Sequence, residues 1–160
     1  MTRLRNILII IPAMFLLFAC GSSSVKLDDV ASDIDARNVE SVDPLKDPRG
    51  ELARRSIYFD FDSYMVKDEY QSIVQAHSRF LNQNKNRRIV IEGNTDERGG
   101  REYNLALGQK RAEAVRRSMS LLGVNDSQME AISLGKEKPR ALGSNESAWS
   151  ENRRSDIVYE

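Results

Sequence analysis

Arg88-Ile89-Val90-Ile91-Glu92-Gly93, followed by Asn94-Thr95-Asp96-Glu97-Arg98-Gly99-Gly100, leads into a helical pattern that runs from about Tyr103 to Leu122. This strand, loop and helix decide the fold. The β-branched run predicts a short buried strand that ends at Gly93, and Gly123 is a suitable cap for the helix. Upstream, Ser56 to Phe61 alternates, with Ile57, Phe59 and Phe61 on one face and Tyr58, Asp60 and Asp62 on the other. Val66, Tyr70, Ile73, Val74, His77, Phe80 and Leu81 then recur at helical spacing, predicting an amphipathic helix to about Asn84. Downstream, Met129 to Leu134 and Asp156 to Tyr159 read as two further strands. Strands alternating with helices predict an α/β (α+β) sandwich, a βαβαβ domain whose mixed four-stranded sheet is covered by helices.

The second helix separates into two faces. Leu105, Gly108, Ala112, Val115, Met119 and Leu122 form the stripe expected to pack on the sheet. Asn104, Leu107 and Arg111 form an adjacent one. Helical side chains lean toward the amino terminus, so Arg111 is expected to reach back toward the loop that holds Thr95 and Asp96. That loop follows a strand, where sheets of this kind commonly bind ligands, and its glycines permit tight turns and close approach. An anion at Asp96, a cation at Arg111 and the amide of Asn104 around one cleft suit a small zwitterion. Asp96 would pair with its ammonium while Arg111 forks onto its carboxylate. The same residues equally fit a plain structural bridge between Asp96 and Arg111.

The amino-terminal region has a different character. Arg3 and Arg5 precede an apolar run from Ile7 to Phe18, too short for a bilayer span, so residues 1–19 read as a removable signal peptide. Leu17-Phe18-Ala19-Cys20 resembles the bacterial lipobox, which implies cleavage before Cys20 and acylation there. Two or more chains anchor stably where one binds marginally. The alternative is an ordinary signal peptide that happens to hold a cysteine. From Gly21 to about Leu52 the chain is polar and Asp/Ser-rich, with Asp43-Pro44 and Asp47-Pro48 as turn signals. Residues 20–53 thus read as a lipidated start and flexible tether, spanning ~30 Å on average, with the folded domain at 54–160.

Composition limits the chemistry. The 24 basic and 24 acidic residues balance, so no net charge draws the chain to nucleic acid, and the Arg pairs do not form a stripe on one face. With the single cysteine acylated, no thiol remains for a disulfide, a thiolate nucleophile or a metal site. His77 sits alone among Val74, Phe80 and Leu81, which predicts a packed imidazole rather than a metal ligand or triad member. No cofactor is expected.

Asn94-Thr95-Asp96-Glu97-Arg98-Gly99, Glu102-Tyr103-Asn104, Leu107-Gly108, Arg111-Ala112 and Ala114-Val115 resemble the signature of the OmpA-like peptidoglycan-binding domain. Tyr58-Phe59-Asp60-Phe61-Asp62, Gly135-Lys136-Glu137-Lys138-Pro139 and Asn152-Arg153-Arg154 extend the match over roughly Ser56 to Tyr159. With its lipobox and tether, the whole chain resembles the peptidoglycan-associated lipoproteins of Gram-negative bacteria. The resemblance implies that Asp96 and Arg111 hold the amino-acid end of meso-diaminopimelate in a wall stem peptide. It also implies that Asn104, Leu107, Thr95, Asp62 and Ser63 line the same pocket. Many members carry histidine where this chain has Asn94, which keeps a polar side chain there. Gly21 after the cysteine resembles lipoproteins sorted to the outer membrane, on its periplasmic face. The resemblance further implies Tol-system partners, TolB in particular, and a pairing of Arg153 with Asp60.

Two other readings fit the residues less well. Asp60-Phe61-Asp62 after an apolar strand is similar to the nucleophile motif of haloacid-dehalogenase-type phosphatases, but Tyr64 stands where that motif wants a small hydroxyl residue. A motor-stator wall anchor uses the same domain but needs a permanent membrane helix. The expectation is therefore a non-enzymatic tether between outer membrane and wall.

Overall fold

Three-residue β1 (Ser56–Tyr58) can hold its place only as one edge of a larger sheet, and it does so by pairing antiparallel with β4 (Arg154–Tyr159). The computed structural model describes residues 43–160, so the export segment 1–19, Cys20 and the tether through residue 42 lie outside the described residues. β4 also pairs antiparallel with β2 (Ile89–Asn94), and β2 pairs parallel with β3 (Met129–Gly135), giving a mixed sheet of order β1-β4-β2-β3. α1 (Gln71–Gln83) and α2 (Arg101–Leu121) supply the helical layer. Ile57, Ile89, Ile91 and Ile157 from the strands interdigitate with Ile73, Val74 and Leu81 of α1 and with Ala112, Val115 and Met119 of α2. Burying such side chains contributes about 1.5–3 kcal/mol each. This is the α/β sandwich that the strand and helix pattern predicts. A short α3 (Glu146–Asn152) that no hydrophobic periodicity marks is set by Asn145, whose side chain accepts from the Ala148 N–H as an N-cap.

Three local expectations change. The first strand stops at Tyr58 rather than Phe61. Phe59 is buried and its N–H still reaches Arg153 O at 2.8 Å, but the chain then turns at Asp60–Ser63, leaving Phe61 62 % exposed. Asp62 occupies the left-handed region (φ 55°), which Asp tolerates better than most residues. The buried stripe of α2 is rotated from the expected one. Leu105 and Leu122 are exposed, while Asn104, Leu107 and Arg111 join Gly108, Ala112, Val115 and Met119 inside. Finally, residues 43–53, read from composition as the end of the tether, pack on the domain. Leu52 is buried, Leu45 O accepts from the Arg55 guanidinium at 2.9 Å, and Asp43 pairs with Arg87.

α2 can approach β2 closely because glycines meet there. A Cβ on Gly93 would lie 1.9 Å from the carbonyl oxygen of Gly108, and one on Gly108 would lie 2.4 Å from the Ser133 hydroxyl. No side chain fits in either place. The start of α2 is thereby pressed against the end of β2, where the polar loop begins.

Candidate functional site

The loop from Thr95 to Gly100 is fixed by its backbone. Thr95 N–H donates to Gly135 O at 2.8 Å, Asn104 Nδ2 to Arg98 O at 2.8 Å, and Lys136 Nζ to the carbonyls of Glu97 and Gly99. Gly99 takes φ 92°, a conformation that strains any residue with a Cβ. Between this loop, the start of α2 and the Phe61–Asp62 turn lies a cavity of about 250 Å³. Phe61, Asp62, Thr95, Asp96, Arg98 and Gly99 form one side, and Tyr103, Asn104, Leu107 and Arg111 the other.

Six of the seven pocket residues expected from the sequence therefore meet: Asp62, Thr95, Asp96, Asn104, Leu107 and Arg111. Ser63 does not line this cavity. It faces a neighbouring groove with Tyr64 and Met65, and its carbonyl instead accepts from Arg111 Nε at 2.8 Å. Cys20 lies outside the described residues.

The two charges do not pair with each other. Arg111 is fully buried, and its remaining bonds run from Nη1 to Asn94 O at 2.9 Å and from Nη2 to Asp60 O at 3.1 Å, with its guanidinium over the Phe59 ring. Burial lowers its pKa to about 10, against the upward pull of Asp96, so it stays charged at neutral pH. Asp96 is held instead by Arg98, Nη2 to Oδ2 at 2.7 Å and Nε to Oδ1 at 3.2 Å, with Arg153 3.5 Å away. Burial would raise the Asp96 carboxyl, but these hydrogen bonds outweigh it and hold it below the usual carboxylate range. Arg153 does not pair with Asp60 as the resemblance implied. It donates to Phe59 O and Glu146, while Asp60 pairs with Lys67 on the surface.

Arg98, Phe61 and Tyr103 complete the pocket without having been singled out from the sequence. Arg98 could have been found there, since an Asp two residues before it invites an Asx-turn, and its N–H does donate to Asp96 Oδ1 at 3.1 Å. The guanidinium carbon of Arg98 lies against two rings, 4.2 Å from the centroid of Phe61 and 4.0 Å from that of Trp149. Tyr103 donates its hydroxyl proton to Asp62. His77 is buried as expected, donating from Nε2 to Arg54 O at 2.8 Å and accepting at Nδ1 from the Tyr159 hydroxyl at 2.7 Å.

The profile of the OmpA family matches residues 58–153, which contain the whole pocket. A peptidoglycan-associated lipoprotein of Pasteurella multocida is 42% identical over 159 residues, covering 99% of this chain and 100% of that protein. One from Pseudomonas putida is 47% identical over 110 residues, covering 67% of this chain and 66% of that protein. Among solved structures, the peptidoglycan-associated lipoprotein of Burkholderia pseudomallei superposes with a TM-score of 0.73 at 65% identity, over 74% of this chain and 100% of that one. The carboxy-terminal domain of Helicobacter pylori MotB shares the fold, with a TM-score of 0.62 at 20% identity over 67% of this chain and 84% of that one. By sequence and by fold this chain belongs to the OmpA family, among its peptidoglycan-associated lipoproteins.

Proposed function

We propose that the pocket binds the zwitterionic end of meso-diaminopimelate in a peptidoglycan stem peptide, and that the chain thereby ties the outer membrane to the wall without covalent chemistry. One observation carries the reading. A cavity of amino-acid size sets the carboxylate of Asp96 and the guanidinium of Arg111 into walls that also hold Leu107, Thr95, Asn104, Asp62 and Arg98. Asp96 receives the ammonium, the guanidinium side of the pocket takes the carboxylate, and Leu107 packs on the methylenes between. Cys20, acylated after removal of residues 1–19, supplies the outer-membrane anchor on the periplasmic face, and the segment that follows it serves as the leash. Tol proteins, TolB in particular, are the protein partners in this reading, which places the tether in envelope integrity during cell division. The names of the relatives support wall association.

The test uses the full-length protein and isolated sacculi. Asp96→Asn keeps the shape of the side chain and removes its charge, so retention on sacculi should fall about ten-fold or more, the cost of one charge-assisted contact. Cys20→Ser should keep wall binding while losing partition into lipid vesicles. Undiminished retention of Asp96→Asn would overturn the pocket, and vesicle binding by Cys20→Ser would overturn the anchor.

A further inference from the structure

Asp96 is already occupied. A carboxylate offers about four acceptor positions, and here three are taken by Arg98 Nε, Arg98 Nη2 and the Arg98 backbone N–H, with the Arg153 charge beside the fourth. An incoming ammonium must therefore displace a donor. The backbone N–H is fixed by the loop, and Arg153 is buried and tied to Phe59 O and Glu146. The Arg98 side chain is 32 % exposed and bonds through its guanidinium to nothing but Asp96 among the described residues. It is the donor that can move.

The manner in which it is held lets it move cheaply. Phe61 and Trp149 both lie against the guanidinium, their centroids 4.2 and 4.0 Å from its carbon, within the range of cation–π attraction. Cation–π attraction does not use up the N–H groups, so they can turn from one anion to another while the aromatic contacts remain. Arg111 has no such freedom, because Nε, Nη1 and Nη2 each already hold a backbone carbonyl.

Building on the pocket proposed above, we infer that Arg98 is an internal counterion that the ligand exchanges. The ligand ammonium takes the place of the guanidinium on Asp96, and Arg98, still against both rings, takes the ligand carboxylate. A ligand with an ammonium and no neighbouring carboxylate evicts Arg98 and leaves it unpaired. Selection for a zwitterion thus draws on Arg98 as a further specificity residue, beside the Arg111 guanidinium that lines the same cavity.

Titration of the full-length protein in detergent with L-alanyl-γ-D-glutamyl-meso-diaminopimelate and with its L-lysine counterpart tests this. The unaltered protein should prefer the first by about ten-fold, the worth of one charge-assisted pair. In Arg98→Gln the first peptide should bind more weakly and the second more tightly, because Asp96 is vacated, narrowing the ratio several-fold. Equal weakening of both would show Arg98 to be structural and overturn the exchange. A second readout needs no variant. The Arg98 Nε–H resonance of the unaltered protein should shift on saturation with the first peptide, together with emission from Trp149, the single tryptophan. A resonance that stays in place at saturation overturns the exchange while leaving the pocket standing. Failure of both peptides to bind the unaltered protein overturns the pocket, and the exchange with it.

Discussion

Arg111 joins three segments that are remote in sequence, the turn after β1 through Asp60 O and Ser63 O, the end of β2 through Asn94 O, and α2 through its own backbone. Its removal leaves three carbonyls without their donor, at about 1 kcal/mol or more each. Arg111→Ala should therefore lower unfolding stability by about 3 kcal/mol, read as a shift in urea midpoint with unchanged slope. Arg111→Lys should recover only part of this, since a point charge cannot reach in three directions at once. An unchanged midpoint for Arg111→Ala would mean that water replaces the guanidinium without cost. The sequence allowed Arg111 and Asp96 to be placed at one cleft, because helical spacing and the loop position fix both. Of their partners only Arg98 left a local sign, the Asx-turn from Asp96; the others were not legible. Arg153 arrives from beyond α3, and a sequence-distant backbone carbonyl leaves no signature in residue type.

At the scale of elements, the contact between β2 and α2 sets the width of the pocket. Gly93→Ala would place a methyl group against the Gly108 carbonyl, so either α2 shifts outward or the variant unfolds. Overpacking of this kind costs typically 1–3 kcal/mol, and the displaced helix carries Asn104, Leu107 and Arg111 with it. Both stability and stem-peptide binding should fall together, whereas Gly100→Ala, where a Cβ meets nothing, should change stability little. Comparing the two by denaturation and peptide titration checks the claim. Most elements were readable from periodicity, since α1 and β2 each bury one regular set of side chains. The face of α2 was misjudged because two of its inward residues, Asn104 and Arg111, are polar and buried for their hydrogen bonds to the loop and turn. Hydrophobic patterning counts them as outward.

Across the whole molecule, His77 clasps Arg54, just before β1, to Tyr159 at the end of β4. Burial lowers its pKa from the ordinary value of 6.5. The unfolded chain therefore binds a proton at a higher pH than the folded one, so stability is full above about 6.5 and declines as pH falls through the interval below it. Unfolding free energy measured from pH 7.5 to 5 should show this slope, and His77→Gln should flatten it. A slope unchanged in His77→Gln would assign it to other groups. The boundary of the domain was the least legible large-scale feature, because Leu52 is a lone apolar residue in a polar stretch and its burial has no periodic partner to announce it. The packing of residues 43–53 also decides how the molecule carries load. A pull applied to the chain ahead of Asp43 meets the Asp43–Arg87 pair, the Leu45 carbonyl and the Leu52 side chain before it reaches the hydrogen-bonded ladder of β1 and β4. These holds are few and can give way one after another, each release lengthening the chain by about 3.3–3.6 Å per residue. In the proposed tether, a segment held in this way would yield under brief tension in series with the sheet, sparing the fold behind it.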